Sequence, residues 1–272
     1  MIMGEAERRG ASLPECIRVL PSAYPKRRLR TLLSRWTDWF YEFNFPDGVA
    51  TETDPVVSTI HRTRAELILP FLDDLFRDRW SGIRCLDVAS HQGWFAIQVA
   101  LRGALEVYGI DIRDNHVERA SAVTELAGLH NVRFERRNLY DVQAEKDGLY
   151  DLTLFLGILY HLENPLQALR TVRSVTRELC VIETQVARPA PPLSSLWGSS
   201  PGIRKGPAVA VLPSDEGHVE GDRTVVLVPT LDALYRFLEA AGFARLYLAV
   251  PPQNAYEQYV DFDRVVVFAF AA

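Results

Sequence analysis

Apolar and polar positions follow two alternating rhythms between residues 83 and 185. Short apolar runs of strand length occur at I-R-C-L-D-V (83–88), E-V-Y-G-I-D (106–111), N-V-R-F-E-R (131–136), Y-D-L-T-L-F-L (150–156) and L-C-V-I-E-T (179–184). Between them the spacing of apolar residues lengthens to that of helices over 93–103, 114–128 and 165–177. Gly103 ends the first helix, Asp114 is placed to cap the second, and Pro165, after Asn164, suits the first turn of the third. The run 150–156 is apolar almost throughout, as a central parallel strand buried on both faces must be. Strands alternating with helices of this length predict an α/β fold, a Rossmann-like and mostly parallel sheet with helices on both faces.

The rhythm breaks at both ends of this stretch. Seven prolines fall within 186–229, together with several glycines and serines, and the segment reads as an insertion or lid rather than a connection. Order returns at 230–243, where Thr230 can cap a helix, Leu231, Leu234, Phe237 and Leu238 share a face, and Gly242 stops it. Two strands follow at 244–250 and 264–270. Upstream, 28–48 reads as a helix followed by an aromatic-rich turn, and 59–76 as a helix kinked or restarted at Pro70. Residues 1–80 then form a helical cap beside a domain spanning 81–272. Trp36, Trp39, Phe40, Tyr41 and Phe43 crowd the cap, either as core packing or as the wall of an active site.

Composition narrows the class. Of 272 residues, 48 % are hydrophobic and 24 % charged, which is ample for a core, and no apolar run has the length of a membrane span. The first residues lack the apolar centre of a signal peptide, so a cytoplasmic location is expected. Three scattered cysteines, Cys16, Cys85 and Cys180, without C-x-x-C spacing read as free thiols in a reducing compartment. The net charge of −5 argues against nucleic acid as the main partner. Lys26, Arg27, Arg28, Arg30 and Arg35 cluster locally, the pattern of a solvated helix face. No membrane partner is expected, and the oligomeric state stays open, a homodimer included.

The most informative turn is Leu86-Asp87-Val88-Ala89-Ser90-His91-Gln92-Gly93, between the first strand and its helix. A dinucleotide turn in this place carries a glycine triplet so that backbone can approach the pyrophosphate. Here only Gly93 is glycine. The segment is similar to the L-D-hydrophobic-G-C-G-x-G turn of class I S-adenosylmethionine-dependent methyltransferases. Tyr108-Gly109-Ile110-Asp111 sits where that family has its second-strand acid. Asn138 to Asp141 occupies the loop after the third strand, and Gly157-Ile158-Leu159-Tyr160-His161 the tip of the fourth. The resemblance covers about residues 80–272. It implies a seven-stranded sheet with an antiparallel final strand, and S-adenosylmethionine as cofactor. This cofactor carries no phosphate, so Ala89 and His91 can replace glycines, histidine tolerating positive φ better than most. Gly93 would mark the closest approach of chain to ligand.

Asp111 lies 18 residues after Gly93, close to the roughly 20-residue spacing of ribose-binding acids. A carboxylate there can accept from both ribose hydroxyls. The resemblance places Asp87 at the methionine end, Asn138 or its rival Asp141 at the adenine amino group, and Leu139 beside the ring. Ala89, Ser90, His91, Trp94, Ile112, Leu156 and Gly157 complete the cofactor-binding set.

The tip G-x-L-Y-H resembles a subgroup that includes sugar and natural-product O-methyltransferases and the tRNA wobble-uridine carboxymethyltransferase. It puts Tyr160 and His161 near the sulfonium, His161 as base or as scaffold. Glu216 and His218 offer a second catalytic group or a polar loop tip. His61 and Arg62 could close the pocket, Glu183 could face the acceptor, and His116 and His130 read as surface residues. No spacing typical of a metal site occurs, and none is expected. The reading is O-methylation of a small polar acceptor, a sugar or secondary metabolite. Its alternatives are tRNA (carboxy)methyl transfer and a non-catalytic cofactor-binding subunit.

Overall fold

The computed structural model describes residues 13–188, 207–213 and 225–272. The chain enters through α1 (Lys26–Leu33), the small hairpin of β1 (Asn44–Phe45) and β2 (Val49–Ala50), and the long helix α2 (Pro55–Phe76). The alternating region gives β3 (Arg84–Val88), α3 (Trp94–Leu101), β4 (Glu106–Asp111), α4 (Asp114–Ala127), β5 (Val132–Arg136), β6 (Tyr150–Leu156), α5 (Pro165–Val175) and β7 (Thr176–Gln185). A two-stranded ribbon of β8 (Val209–Pro213) and β9 (Val225–Pro229) follows. The chain ends with α6 (Leu231–Ala241), β10 (Arg245–Leu248) and β11 (Arg264–Phe270).

The main sheet has seven strands in the order β10-β11-β7-β6-β3-β4-β5. β3, β4, β5, β6 and β7 are parallel, and β11 inserts antiparallel between β7 and β10. The seven-stranded, mostly parallel sheet with an antiparallel final strand expected from the family resemblance is therefore the one found. Chain direction across the sheet reverses between β3 and β6. In open α/β sheets such a switch point opens a crevice at the carboxyl ends of the strands, where ligands bind.

Side-chain alternation divides the core in two. Cys85, Val107, Leu154, Val181 and Val266 face α2, α3 and α4, joined by Leu69, Leu72, Ile97 and Val123. Their neighbours Leu86, Tyr108, Phe155, Ile182 and Val267 face α5 and α6, meeting Leu169, Val172, Leu234 and Leu238. Leu29, Leu33, Trp39 and Phe43 of the N-terminal segment join the first of these cores. Thr230 caps α6 by accepting from the Ala233 N–H, Gly242 closes it in the left-handed region, and Asn164 caps α5.

The helix expected in 28–48 ends at Leu33, and the aromatic-rich stretch follows it outside any helix, with Trp39, Tyr41 and Phe43 buried. Two local expectations are corrected. Helix α2 runs through Pro70 without restarting. Pro70 is exposed, so the carbonyl that loses its donor can turn to water, while Ile68, Leu69, Leu72 and Phe76 bury the opposite face. Asp114 is not a cap: Arg113 holds that position without a side-chain cap bond, and Asp114 sits in the first turn, paired with Arg136 at 3.3 Å.

Candidate functional site

The crevice is bounded by the turn after β3 and the tip of β6. In the turn, the Ser90 N–H donates to the Ile110 carbonyl of β4 at 2.9 Å and the Gly93 N–H to the Ser90 carbonyl at 2.8 Å. Ala89 and His91 have φ of 55° and 52°, and Gly93, which opens α3, has 78°. Two non-glycine residues thus occupy left-handed conformations, as the replacement of glycines required. Gly93 has a reason of its own inside the protein. A Cβ there would meet the Phe134 ring at 2.4 Å and the Ala120 Cβ at 2.8 Å, so packing inside the protein demands the glycine.

Asp111 ends β4 almost fully buried. One carboxylate oxygen accepts from the His91 N–H at 2.9 Å and the other from the Arg113 N–H at 3.0 Å. His116 Nδ1 lies 3.5 Å away. Burial opposes the charge, but the His116 imidazole and these backbone N–H groups prevail and hold the carboxyl below its ordinary range. Each oxygen keeps a second lone-pair direction for a further donor. His116 is buried against His91, with ring centroids 3.7 Å apart, which corrects its reading as a surface residue; His130 is exposed.

Asp87 lies beneath the same turn with one oxygen accepting from the Ala96 N–H at 3.2 Å. Burial pushes its pKa up to about 8, partly offset by the Ala96 N–H and reinforced by the Asp111 charge. Ile112 exposes an apolar side chain beside Asp111, and Leu139 is buried behind it. The Asn138 oxygen caps the short turn 139–141 through the Tyr140 N–H at 3.0 Å, while Asp141 is exposed.

The N-terminal segment roofs the turn. Gln92, buried, accepts from the Phe40 N–H at 2.9 Å and donates to the Asp38 carbonyl at 3.3 Å. Trp94 Nε1 donates to the Glu42 carbonyl at 3.0 Å, and Arg119 grips both carboxylate oxygens of Asp38. Phe40 stacks on His91 with centroids 4.4 Å apart. Trp39, Tyr41 and Phe43 enter the core, as the core-packing reading expects, and Phe40 covers the turn. Gln92 was not singled out in the sequence, where nothing sets it apart from the polar Ser90 and His91 beside it.

At the other edge, Gly157 leaves β6 with φ 73°, and its N–H donates to the Glu183 carbonyl at 2.8 Å. Tyr160 is buried, its hydroxyl accepting from Arg264 at 3.4 Å, and the half-buried His161 ring packs against it with centroids 4.2 Å apart. Glu183 does not face an acceptor freely. It is fully buried and accepts from Arg264 at 2.8 Å and the Tyr259 hydroxyl at 2.7 Å, with Arg64 at 3.2 Å. Burial works against its charge, but Arg264 and Arg64 outweigh it and keep the carboxyl below its usual range. This cluster joins α2, β7 and β11, elements far apart in the chain. Glu216 and His218 lie outside the described residues. Among the described residues no group of three or more histidines, cysteines or acids could hold a metal, and no helix is long and apolar enough to cross a membrane.

Sheet order, switch-point crevice and the acid closing β4 together define the fold of the class I S-adenosylmethionine-dependent methyltransferases. Residues 80–197 match the family model described as a methyltransferase domain. A methyltransferase of this class takes its methyl group from S-adenosylmethionine.

Solved structures agree on the fold. The N-terminal domain of EvdMO1 with S-adenosylhomocysteine bound superposes with a TM-score of 0.63 at 21 % identity, covering 92 % of this chain and 98 % of that one. Magnesium protoporphyrin IX methyltransferase from Synechocystis PCC 6803, with bound S-adenosylhomocysteine, gives 0.53 at 18 %, covering 81 % and 89 %. An S-adenosylmethionine-dependent methyltransferase from Mesorhizobium loti gives 0.51 at 22 %, covering 76 % and 99 %. No curated protein matches the sequence.

Proposed function

We propose that the protein holds S-adenosylmethionine over the turn 89–93 and transfers its methyl group to a small polar acceptor, a hydroxyl on a sugar or secondary metabolite. The observation that carries this reading is the buried Asp111 carboxylate. It is fixed by two backbone N–H groups yet still able to accept from two ribose hydroxyls, beside a turn whose left-handed positions carry side chains. In this reading Ala89, Ser90, His91, Gly93 and Trp94 lie under the cofactor, Asp87 orients its amino acid end, and Ile112, Asn138 and Leu139 flank the adenine. Leu156 and Gly157 approach the sulfonium, and Tyr160 and His161 line the acceptor side. A sugar-like acceptor is supported by the EvdMO1 N-terminal domain, whose structure is also known in the presence of S-adenosylhomocysteine and D-fucose. The net charge of −5 favours a small molecule over tRNA. Arg64 and Arg264, the buried cations near the β6 tip, are both engaged by Glu183, which weakens the case for a carboxymethyl group.

The test is incubation with methyl-labelled cofactor and separate small-molecule and RNA fractions, with and without ribonuclease. Label entering small molecules is the expected result; ribonuclease-sensitive label would contradict it, and tight cofactor binding without transfer to either fraction would favour a non-catalytic subunit.

A pH dependence follows from Asp87. Its raised pKa means that its contribution to the stability of the free protein is fully present below about pH 4 and is lost as the pH climbs through about 8. The cationic amino group of the cofactor favours the ionised carboxyl, so binding should release a proton below pH 8. Affinity for S-adenosylhomocysteine should rise by up to about tenfold per pH unit in that range. Calorimetry in buffers of different ionisation enthalpy measures this release, and its absence near neutral pH would contradict the placement of Asp87.

A further inference from the structure

His61 sits on the inward face of α2, one turn before Arg64, and is 6 % exposed. Neither of its ring nitrogens makes a hydrogen bond of ordinary geometry to a protein group. A buried imidazole left in this state is uncommon, because buried polar atoms nearly always find partners. The ring is not loose: Tyr41 packs against it at 4.1 Å between centroids and Phe40 edge-on at 4.6 Å. Phe40 in turn stacks on His91, so one side of His61 adjoins the cofactor turn. Arg64 reaches Glu183 and would lie 3.8 Å from a Cβ on Gly157, so the other side adjoins the tip of β6. His61 therefore lies on the α2 side of the crevice, close enough to His91 of the turn and to Arg264, which bonds Tyr160 at the β6 tip, for both to act on its charge. It also lines a small cavity with Glu42, Ser58 and Arg62.

We propose that His61 is the base that receives the acceptor's proton during methyl transfer, an assignment that rests on the methyltransferase reading above. As the hydroxyl oxygen forms its bond to the methyl carbon, the carbon–sulfur bond breaks and its electron pair stays on sulfur as a thioether. The hydroxyl proton moves to a neutral ring nitrogen of His61 and passes from there to water. Neutrality is secured by surroundings. Burial, then the charges of Arg64 on the same helix, His91 in the turn and Arg264 on β11, hold the imidazole pKa well below its ordinary value, only slightly opposed by the Phe40 backbone. The titratable Tyr41 faces the ring, and Glu42 and Arg62 stand at the cavity rim. A weak base suffices because the hydroxyl becomes strongly acidic only as the new bond forms.

The test compares wild type with His61→Asn, and with His61→Gln should the first variant fold poorly. Affinity for S-adenosylhomocysteine should change by less than about threefold, while transfer at saturating cofactor into the small-molecule fraction slows by about 100-fold or more. The variant's rate should climb with pH as hydroxide takes the proton, whereas the wild-type rate stays level from about pH 6 to 9. Independently of any acceptor, nitrogen-15 NMR of histidine in the S-adenosylhomocysteine complex should show the His61 ring neutral at about pH 5.5. Transfer within about threefold of wild type, a loss equal at every pH, or a protonated ring at that pH would overturn the assignment. Wild type that ignores S-adenosylhomocysteine would instead defeat the methyltransferase reading itself.

Discussion

Asp111→Ala is expected to weaken S-adenosylhomocysteine binding by a factor of about 100 to 10,000. In the proposed reading two charge-assisted hydrogen bonds to ribose, at about 1.5–3 kcal/mol each, disappear together. The loss goes further than the ligand. The His91 and Arg113 N–H groups lose the acceptors that fix the turn, so the surface under the cofactor loosens as well. Asp111→Asn separates the two effects, since the amide keeps one accepting oxygen and nearly the same shape. It should fall between wild type and the alanine variant. Equilibrium binding checks both, and an alanine variant within about threefold of wild type would remove Asp111 from the site.

The second large effect concerns folding. Glu183→Ala removes the only carboxylate from a cluster in which Arg64 and Arg264 are each less than a tenth exposed. Two guanidinium groups would then share the interior with neutral partners alone, the Tyr259 and Tyr160 hydroxyls and the Gln258 amide oxygen. Breaking a buried ion pair from one side costs about 3–5 kcal/mol, because a charge is left without its partner. For a chain of this size that is a melting-temperature drop of about 10 °C. Differential scanning calorimetry measures it directly, and a drop below about 2 °C would mean the arginines reach water more easily than their burial implies.

How much of this was legible depended on distance along the chain. β4, β6 and β11 fall where the apolar runs placed them, because a central strand buried on both faces leaves an unbroken apolar signature. The positive φ at Ala89 and His91 was legible too, since a strand-to-helix turn with one glycine must put other residues into left-handed backbone. The Glu183 cluster was not. Arg64, Glu183, Tyr259 and Arg264 are ordinary polar letters in the sequence, and only the insertion of β11 beside β7 and the crossing of α2 bring them together. His116 was misread for a related reason: on an amphipathic helix a histidine looks exposed until its neighbour across the turn, His91, is known. His61 offered still less, because the packing of Phe40 and Tyr41 that defines its surroundings comes from an irregular turn far from it in the chain.

Calorimetric titration of the protein with S-adenosylhomocysteine, NAD and ATP in parallel bears most directly on what the crevice between β3 and β6 was built to hold. The account predicts saturable binding of S-adenosylhomocysteine, lost in Asp111→Ala, and none of the two phosphate-bearing ligands. Binding of NAD or ATP with S-adenosylhomocysteine ignored would contradict it.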